Sequence, residues 1–478
     1  MGVKFTHSFN SELGHDVIIP IVGKKVDTNL VKDYFGFIEH DSIELSPKNP
    51  IFLTDAKSGK MVILLGLGEE SDKGKRTNYI RSVIHQSKAE FPKAITIIAK
   101  HLDPKTLSNV VMGCFLGIRQ YGIFKTNGDK GKNNPPDITI LIDNEQIATY
   151  NEAVSVVNAK ILAMELVDLP SNIKTPYYLA DKAEEVSNKF GIKTSIIRGD
   201  NLVAENLHAL HEVGKGSSNP PAFITMEYIP ENYNDDYKTI VLVGKGITFD
   251  TGGISIKPSA NLANMKSDMG GAAAVMGVLQ LVADQKVQIR VIGIIPAAEN
   301  AVDGSAYKPS DVIQSYSGKT IEVIDTDAEG RVVLADGLAY GIKNYKPDYV
   351  IDLATLTGSC IVALGYLTCG MFTKSEKMSQ VLRSASEKCD ERVWPMPMWD
   401  EYAQDMQSDI ADIKNLSAKP VAGSITAAKF LEAFTDQHPE WVHLDIAGVS
   451  FADTEFAKSR IATGYGVSLV FESIKLLA

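Results

Sequence analysis

The sequence lacks the features that mark several large classes of protein. Its four cysteines are scattered, without the spacing of metal ligands, which argues against a disulfide-rich domain or a zinc finger and indicates reduced thiols in a cytoplasmic protein. No apolar run approaches the roughly 20 residues that span a bilayer. The first residues also lack the apolar core of a signal peptide.

Basic residues are also fewer than acidic residues. The 478 residues include 48 Lys+Arg and 59 Asp+Glu, a net charge of −11, so no basic footprint for nucleic acid is present. Residues 1–150 hold 19 basic and 17 acidic residues, and the acidic excess therefore lies in the rest of the chain. An acidic region attracts cations, including metal ions and the ammonium groups of peptides.

Apolar runs and helical patterns alternate along the chain, as is typical of α/β proteins. Strands are predicted at residues 16–22, 61–65, 94–98 and 138–142, with a helix at 78–91. A further helix at 150–167 has apolar residues at helical spacing and ends before Pro170. We therefore predict an N-terminal domain at 1–150, a linker helix at 151–168 and a second domain at 169–478.

The second domain is predicted to contain a largely parallel sheet covered by helices. Its strands are predicted at residues 239–243, 289–295, 349–354 and 443–446, and its helices at 270–283, 330–344 and 426–434. In such sheets, functional residues collect just past the carboxyl ends of the strands.

Three carboxylates and one guanidinium fall within seven residues, at Asp325, Asp327, Glu329 and Arg331. One interpretation is a capping box, because Thr326 and Glu329 have the Ser/Thr-x-x-Glu spacing that starts a helix. The other is a metal site, because crowded carboxylates repel one another unless a cation lies among them. Carboxylate oxygens are ligands that divalent ions accept.

A second charged cluster lies upstream and favours the metal site. Lys245 and Asp250 follow a predicted buried strand, Lys257 comes shortly after, and Asp268 precedes a helix start rich in small residues. Taken singly, Lys245 could be a surface charge and Asp268 a helix cap. Two such clusters in one domain are harder to explain without a shared site.

The glycines of these segments do not form a nucleotide-binding motif. Gly244 and Lys245 fail the phosphate-loop pattern, because Thr239 stands at the first glycine position and Gly246 at the hydroxyl position. The pair Gly66 and Gly68 lacks the third glycine of the dinucleotide fingerprint. A nucleotide cofactor is therefore not expected.

Together, the two clusters resemble the leucyl aminopeptidase family of two-metal cytosolic aminopeptidases. The resemblance runs from residue 168 to residue 448 and includes the segments 353–358 and 441–448. It implies a macro-like N-terminal α/β domain, a C-terminal catalytic α/β domain and a homohexamer. It also implies two divalent ions per subunit, Zn²⁺ or Mn²⁺ with Mg²⁺ or Co²⁺ as alternatives, and a bound bicarbonate.

The resemblance assigns roles residue by residue. The tighter metal is expected among Lys245, Asp250, Asp268 and Glu329, and the more exchangeable one among Asp250, Asp327 and Glu329. The main-chain carbonyl of Asp327 contributes as well. Lys257 and Arg331 are the implied catalytic residues that bind no metal, and Arg331 also holds the bicarbonate that serves as general base. A ligand lysine must be neutral, whereas Lys257 must stay charged.

Five further positions align with residues that contact substrate in the family. Met265, Thr355, Gly358 and Ala447 are expected to line the pocket for the substrate side chain, and the carbonyl of Leu356 to accept the substrate amine. The alternative for each of them is ordinary core packing.

The implied function is a cytoplasmic metallo-aminopeptidase that releases leucine-like N-terminal residues from peptides. One position departs from the family, because Asp325 stands where Asn is usual, which puts metal preference and pH optimum in doubt. Two other functions stay open at this point. One is a different two-metal hydrolase, such as an amidase or phosphoesterase. The other is a non-enzymatic protein, for example one that binds DNA.

Overall fold

The computed structural model describes residues 2–8, 16–26, 31, 44–47, 49–54, 61–86, 94–126, 135–234 and 236–478. The chain divides into two compact units. The first comprises Met1–Asn158 with Glu455–Lys458, and the second comprises Ala159–Thr454 with Ser459–Ala478. The bounds predicted from the sequence, 1–150, 151–168 and 169–478, stay a prediction.

The first unit contains a six-stranded sheet among its described residues. Its strands are β1 (Val3–Thr6), β2 (Asp16–Ile21), β3 (Ile51–Thr54), β4 (Met61–Gly66), β5 (Ala94–Ile98) and β6 (Asp137–Leu141). They lie in the order β1-β6-β5-β2-β4-β3, and only the β3–β4 pair is antiparallel. The four predicted strands of this region are confirmed.

Both faces of the central strands β2, β4 and β5 are buried, which explains their continuous apolar runs. Ile18 and Ile63 face one core, which includes residues of helices α1 (Arg76–Gln86) and α2 (Pro104–Ile118). Val17 and Val62, one position earlier, face a second core. The predicted helix 78–91 is α1, and its residues 87–91 lie outside the described residues. Short 3₁₀ helices occupy Glu70–Lys75 and Asn144–Gln146.

Helix α3 (Ile147–Asp168) confirms the helix predicted at 150–167. The division between the two units falls within it, after Asn158. Although α3 has 22 residues, neither it nor any other helix in the described ranges is long and apolar enough to cross a membrane.

The second unit is built on a nine-stranded sheet among its described residues. The strands are β7 (Lys193–Arg198), β8 (Ala222–Tyr228), β9 (Thr239–Gly244), β10 (Gly246–Asp250), β11 (Arg290–Asn300), β14 (Tyr349–Ala354), β15 (Cys369–Phe372), β16 (Val393–Pro395) and β18 (Trp441–Asp445). Their order is β16-β15-β18-β14-β9-β11-β8-β7, with β10 paired to β11.

Its central strands β18, β14, β9 and β11 are parallel, so their carboxyl ends share one edge. Smaller strands lie at β12 (Val312–Gln314), β13 (Thr320–Glu322), β17 (Ile413–Lys414), β19 (Phe451–Ala452) and β20 (Ile461–Ala462).

The helices of this unit are α4 (Pro176–Phe190), α5 (Asn201–Ala204), α6 (His208–Gly214), α7 (Gly270–Asp284), α8 (Glu329–Tyr345), α9 (Gly358–Leu364), α10 (Glu376–Cys389), α11 (Gly423–Glu432) and α12 (Val467–Leu477). Short 3₁₀ helices lie at Leu262–Ser267 and Asp400–Met406. All predicted strands and helices of the second domain are confirmed, and the predicted α/β fold is correct. The antiparallel strands β7, β8 and β15 were not predicted.

Candidate functional site

Lys245 lies at the carboxyl edge of the central sheet, between β9 and β10. Its main chain is hydrogen-bonded to strand β14 and to helix α7. The N–H donates to Leu353 O at 3.0 Å, and the carbonyl accepts from Ala272 N at 2.9 Å. The side chain is only 4% exposed, and its Nζ lies 2.7 Å from Asp268 Oδ2 and 2.9 Å from Glu329 Oε1. Lys245 is therefore not a surface charge.

The aliphatic stem of Lys245 passes directly over the first turn of α8. A Cβ atom at Gly330 would lie 2.3 Å from Lys245 Cε, well inside contact distance. Any larger residue at position 330 would force the lysine stem to move. The lysine can therefore reach Glu329, which begins the helix.

Lys257 supplies a second ammonium on the more open side of the cluster. Its Nζ lies 2.9 Å from Asp250 Oδ2 and 2.5 Å from Asp327 Oδ1, and its side chain is 21% exposed. Asp250 ends β10, and Asp327 lies in the loop before α8. Two lysines and four carboxylates from separate segments thus meet at one sheet edge.

The carboxylates fit divalent metal ions. Asp250, Asp327 and Glu329 each offer an oxygen, and these oxygens lie within 4.8 Å of one another. Glu329 Oε2 is buried without a hydrogen-bond partner among the described residues. Burial and the charge of Asp250 raise the pKa of Glu329 and of Asp327. A buried carboxylate oxygen left unpaired is costly, and hard cations take this type of ligand.

Both lysines are charged among these acids. Although burial opposes the charge, the carboxylates of Asp268, Glu329 and Asp250 raise the pKa of Lys245. Burial likewise opposes the charge of Lys257, whose pKa is raised chiefly by Asp250 and Asp327. A metal ion at Lys245 would have to displace its proton, so the neutral state expected for a ligand lysine stays a prediction.

The two capping interpretations are wrong. Helix α8 has Ala328 at its N-cap, with no side-chain cap. Thr326 Oγ1 instead donates to Gly252 O at 2.7 Å and accepts from Ser255 N at 2.8 Å. Asp268 does not cap α7, whose N-cap is Met269.

Arg331 lies in the first turn of α8 and is 5% exposed. Its Nη1 donates to Asn415 O at 2.9 Å, while its Nε is buried without a partner among the described residues. Burial lowers the pKa of Arg331 to about 10, so the guanidinium stays charged at neutral pH. A buried cation with an unused donor suits a small anion.

The residues predicted to contact substrate are not fully buried. Gly358 is exposed, and a Cβ built there would meet nothing within 4 Å. Met265, Thr355, Leu356 and Ala447 are partly exposed. Leu356 packs against the main core as well.

Thr355 joins this group to the charged cluster. Its Oγ1 donates to Asp268 Oδ1 at 2.8 Å, and its carbonyl accepts from Lys245 Nζ at 3.2 Å. The structure thus connects the predicted pocket with the predicted ligands, and the substrate roles stay predictions.

Asp325 turns its side chain toward its own loop. Its Oδ1 accepts from Asp327 N at 2.8 Å, and its carbonyl accepts from Asn415 Nδ2 at 2.6 Å. The aspartate thus takes the hydrogen bond that an asparagine oxygen could take, but it adds a negative charge beside Asp327.

Three buried residues that organise the site were not identified from the sequence. Asp445, at the end of β18, accepts from Leu356 N, Thr357 Oγ1 and Ala447 N. The side-chain oxygen of Asn415 accepts from Ile324 N and Asp325 N, and its Nδ2 donates to Asp325 O. Its main-chain carbonyl accepts from Arg331 Nη1. Asn300 contacts Asp250. A longer prediction for strand β11 would have placed Asn300 at the functional sheet edge.

The chain resembles known proteins along most of its length. The family model described as cytosol aminopeptidase family, catalytic domain, matches residues 161–471. The chain is 42% identical over 394 residues to a probable cytosol aminopeptidase of Chlorobium limicola, covering 80% of this chain and 78% of that one. It is also 42% identical over 392 residues to a probable cytosol aminopeptidase of Geobacter sulfurreducens, covering 79% and 76%.

Solved structures show the same likeness over the whole chain. The bottromycin maturation enzyme BotP in complex with Mn superposes with a TM-score of 0.85 at 28% identity, covering 97% of this chain and 99% of that one. A second structure of BotP gives a TM-score of 0.84 at the same identity and coverage.

Proposed function

From the premise that the chain belongs to the cytosol aminopeptidase family and is an aminopeptidase hydrolase, we propose that it removes leucine-like N-terminal residues from peptides with the help of two divalent metal ions. The observation that carries this proposal is the group of Asp250, Asp327 and Glu329 oxygens within 4.8 Å, with Glu329 Oε2 buried and unpaired. Such a group is suited to binding cations.

The proposed ligands form two overlapping sets. Lys245, Asp250, Asp268 and Glu329 would hold the tighter ion, and Asp250, Asp327 and Glu329 the more exchangeable one. The contacts of Lys245 with Asp268 and Glu329 support the first set. Zn²⁺ and Mn²⁺ are the proposed ions, with Mg²⁺ and Co²⁺ as alternatives. When bound, such ions lower the pKa of water and polarise the scissile carbonyl.

Lys257 and Arg331 are the proposed catalytic side chains. Lys257 is charged and partly exposed, so it can approach a substrate carbonyl and stabilise the negative charge that develops there. Arg331 is charged and keeps a free Nε donor among the described residues. We propose that Arg331 would hold a bicarbonate, which would supply a general base at the site.

The substrate would lie against the partly exposed residues at the rim of the cluster. We propose that the carbonyl of Leu356 accepts a hydrogen bond from the free amine of the substrate. Met265, Thr355, Gly358 and Ala447 would surround the first side chain. The open space over Gly358 supports this arrangement.

Three further features are proposed without a structural observation that tests them. These are a homohexamer, a cytoplasmic location, and the division into an N-terminal domain at 1–150, a linker helix at 151–168 and a catalytic domain at 169–478. Native mass spectrometry of the purified protein tests the hexamer.

The deciding experiment combines metal analysis with an assay on aminoacyl amides before and after chelation. We expect up to two divalent ions per chain, loss of leucyl-amide hydrolysis on chelation, and recovery when Mn²⁺ or Zn²⁺ is restored. Phosphate esters and N-blocked leucyl amides should not be hydrolysed. Fully active protein that lacks bound metal and resists chelators would overturn the proposal, and phosphate-ester hydrolysis would favour the phosphoesterase alternative.

A further inference from the structure

We propose that Asn300 is a positioning residue that holds Asp250 against the loop of residues 325–329 and so sets the spacing of the metal-binding carboxylates. This inference rests on the proposed metalloenzyme function. Asn300 is the last residue of β11 and is fully buried.

The side-chain amide of Asn300 joins two segments that carry proposed ligands. Its Nδ2 donates to Asp250 Oδ1 at 2.8 Å and to Thr326 O at 3.0 Å. A primary amide has two N–H donors, and both are used. One donor fixes Asp250 itself, and the other fixes the residue before Asp327.

The main chain of Asn300 holds the same region. Its carbonyl accepts from both the N–H and the Oγ1 of Thr251, each at 2.9 Å. Asp250 and Asn300 are also paired in the ladder between β10 and β11. The residue thus anchors Asp250 from the side chain and from the backbone.

The hydrogen-bond partners determine the orientation of the amide. A flipped amide would point its oxygen at a carboxylate and a carbonyl, which are both acceptors, and would be repelled. In the observed orientation, Oδ1 is buried without a partner among the described residues. A Cβ at Gly253 would lie 2.9 Å from this oxygen, and Gly253 has φ +65°. The loop that follows β10 thus has a glycine at the point where it passes the side-chain amide of Asn300.

Asn300 thereby determines which oxygen of Asp250 faces the site. Oδ1 is engaged by Asn300 Nδ2 and by Gly252 N, both at 2.8 Å. Oδ2 lies 2.9 Å from Lys257 Nζ, toward the other charged groups. Outer hydrogen bonds of this kind orient ligand carboxylates, and their loss typically costs about 10–100-fold in metal affinity or activity.

Both acceptors of the Asn300 amide have a second donor. Without Asn300, Asp250 Oδ1 keeps the N–H of Gly252, and Thr326 O keeps the hydroxyl of Tyr307 at 2.8 Å. Asn300→Leu has nearly the same shape but has no donor. Asn300→Asp keeps the shape and the polarity. It places a carboxylate oxygen against Asp250 Oδ1 and Thr326 O, which are both acceptors themselves.

The test measures Mn²⁺ binding to the full-length chain stripped of metal, by the EPR signal of free Mn²⁺, together with kcat, KM and the melting temperature. We expect both variants to bind Mn²⁺ about 10–100-fold more weakly than the wild type. We also expect kcat to fall more than KM changes. The metal-free melting temperature of Asn300→Leu should fall about as far as that of the control variant Asn109→Leu, whereas Asn300→Asp, which buries an unpaired carboxylate, should melt lower.

Two control variants separate positioning from general damage. Asn109→Leu removes a buried asparagine of the first unit that accepts from Thr77 Oγ1, so it should lower the melting temperature and leave Mn²⁺ affinity unchanged. Tyr307→Phe removes the other donor to Thr326 O without touching Asp250, so its effect on Mn²⁺ affinity should be much smaller. An equal loss in Tyr307→Phe and Asn300→Leu would overturn the role assigned to the Asp250 contact.

The outcomes distinguish this inference from the proposed function. Wild-type protein that binds no Mn²⁺ and hydrolyses no aminoacyl amide contradicts the function itself. Wild-type protein that does both, with Asn300→Leu equal to it in Mn²⁺ affinity and kcat, contradicts only the role of Asn300.

Discussion

Two clusters of lysines and carboxylates in the second unit differ in how their charges are balanced. In the candidate site, Lys245 and Lys257 face four carboxylates, and one oxygen of Glu329 stays unpaired among the described residues. In the other, called here the Asp400 cluster, Lys374 and Lys429 each contact both Asp400 and Glu432. The second cluster lies beside a cavity of about 550 Å³ at the start of β18.

The pKa values of the acids shift in opposite directions. Hydrogen bonds from Lys374 and Lys429 lower the pKa of Asp400 to about 2. Burial and the charge of Asp250 raise the pKa of Glu329. Equal numbers of opposite charges near water need no further ion, whereas a buried excess of carboxylates favours a bound cation. Residue types alone therefore do not distinguish a metal site from a structural ion-pair network.

Glu329→Gln should have the largest effect, because it removes a proposed bridging ligand. We expect turnover to fall by more than about a hundredfold, beyond the loss typical of an outer-shell partner, together with loss of bound metal. The metal-free protein should melt at the same or a higher temperature, since one of several mutually repelling buried carboxylates is gone. Metal analysis, the amide assay and calorimetry measure the three effects. Normal metal content with normal turnover contradicts the ligand assignment.

Lys257→Ala should come next, with kcat reduced by about 10²–10³-fold, the range for removal of one group that stabilises developing charge. Metal content should stay intact, because this lysine is not a proposed ligand. Lys286→Ala, which removes an exposed lysine paired with Glu231, is the matched control and should leave kcat unchanged. Wild-type turnover in Lys257→Ala refutes the role of this lysine.

Asp325→Asn should have a smaller effect and tests the departure from the family. The variant keeps an oxygen for the N–H of Asp327 and removes one negative charge. We expect turnover to change by less than about tenfold, or 1.4 kcal/mol, with a shift in the pH optimum and in the ratio of Zn²⁺ to Mn²⁺ activity. Identical pH–rate profiles and metal preferences in the wild type and the variant would show that the charge of Asp325 affects neither property.

Asp400→Asn should have the smallest effect and no influence on catalysis. The pKa of Asp400 is lowered in the folded protein, so its charge contributes stability above the ordinary pKa of 3.8. This contribution disappears as the pH falls through about 2. The variant should melt slightly below the wild type at pH 7, and the difference should shrink below pH 4. A difference that is unchanged or larger at low pH contradicts the ion-pair interpretation.

Several strands with clear apolar runs were predictable, but burial alone was not sufficient, because β8 and β15 are buried almost throughout and were not predicted. Strand β14 is fully buried and lies at the residues predicted from its apolar run. Strand β7, at the edge of the sheet, has the sequence Lys-Thr-Ser-Ile-Ile-Arg and is only partly buried. Its polar residues give little signal, because an edge strand gains its place from pairing with β8 and not from its own pattern.

The charged residues of the site were predictable, and the amides that hold them were not. Lys245, Asp250, Lys257, Asp327 and Glu329 stood out because clustered charges need an explanation. Asn300 and Asn415 carry no charge, and they act through contacts 26 and 90 residues away in sequence. Hydrogen bonds across such separations arise from the folded sheet, so a local motif cannot indicate them.

The close approach of Lys245 to Gly330 restricts which residue can occupy position 330. Because the lysine stem fills the space that a side chain at position 330 would need, even alanine there would push the ammonium away from Glu329. A side chain at position 330 would be accommodated only if the lysine stem moved. The one residue in this turn without a side chain thus decides whether the lysine can reach its partner.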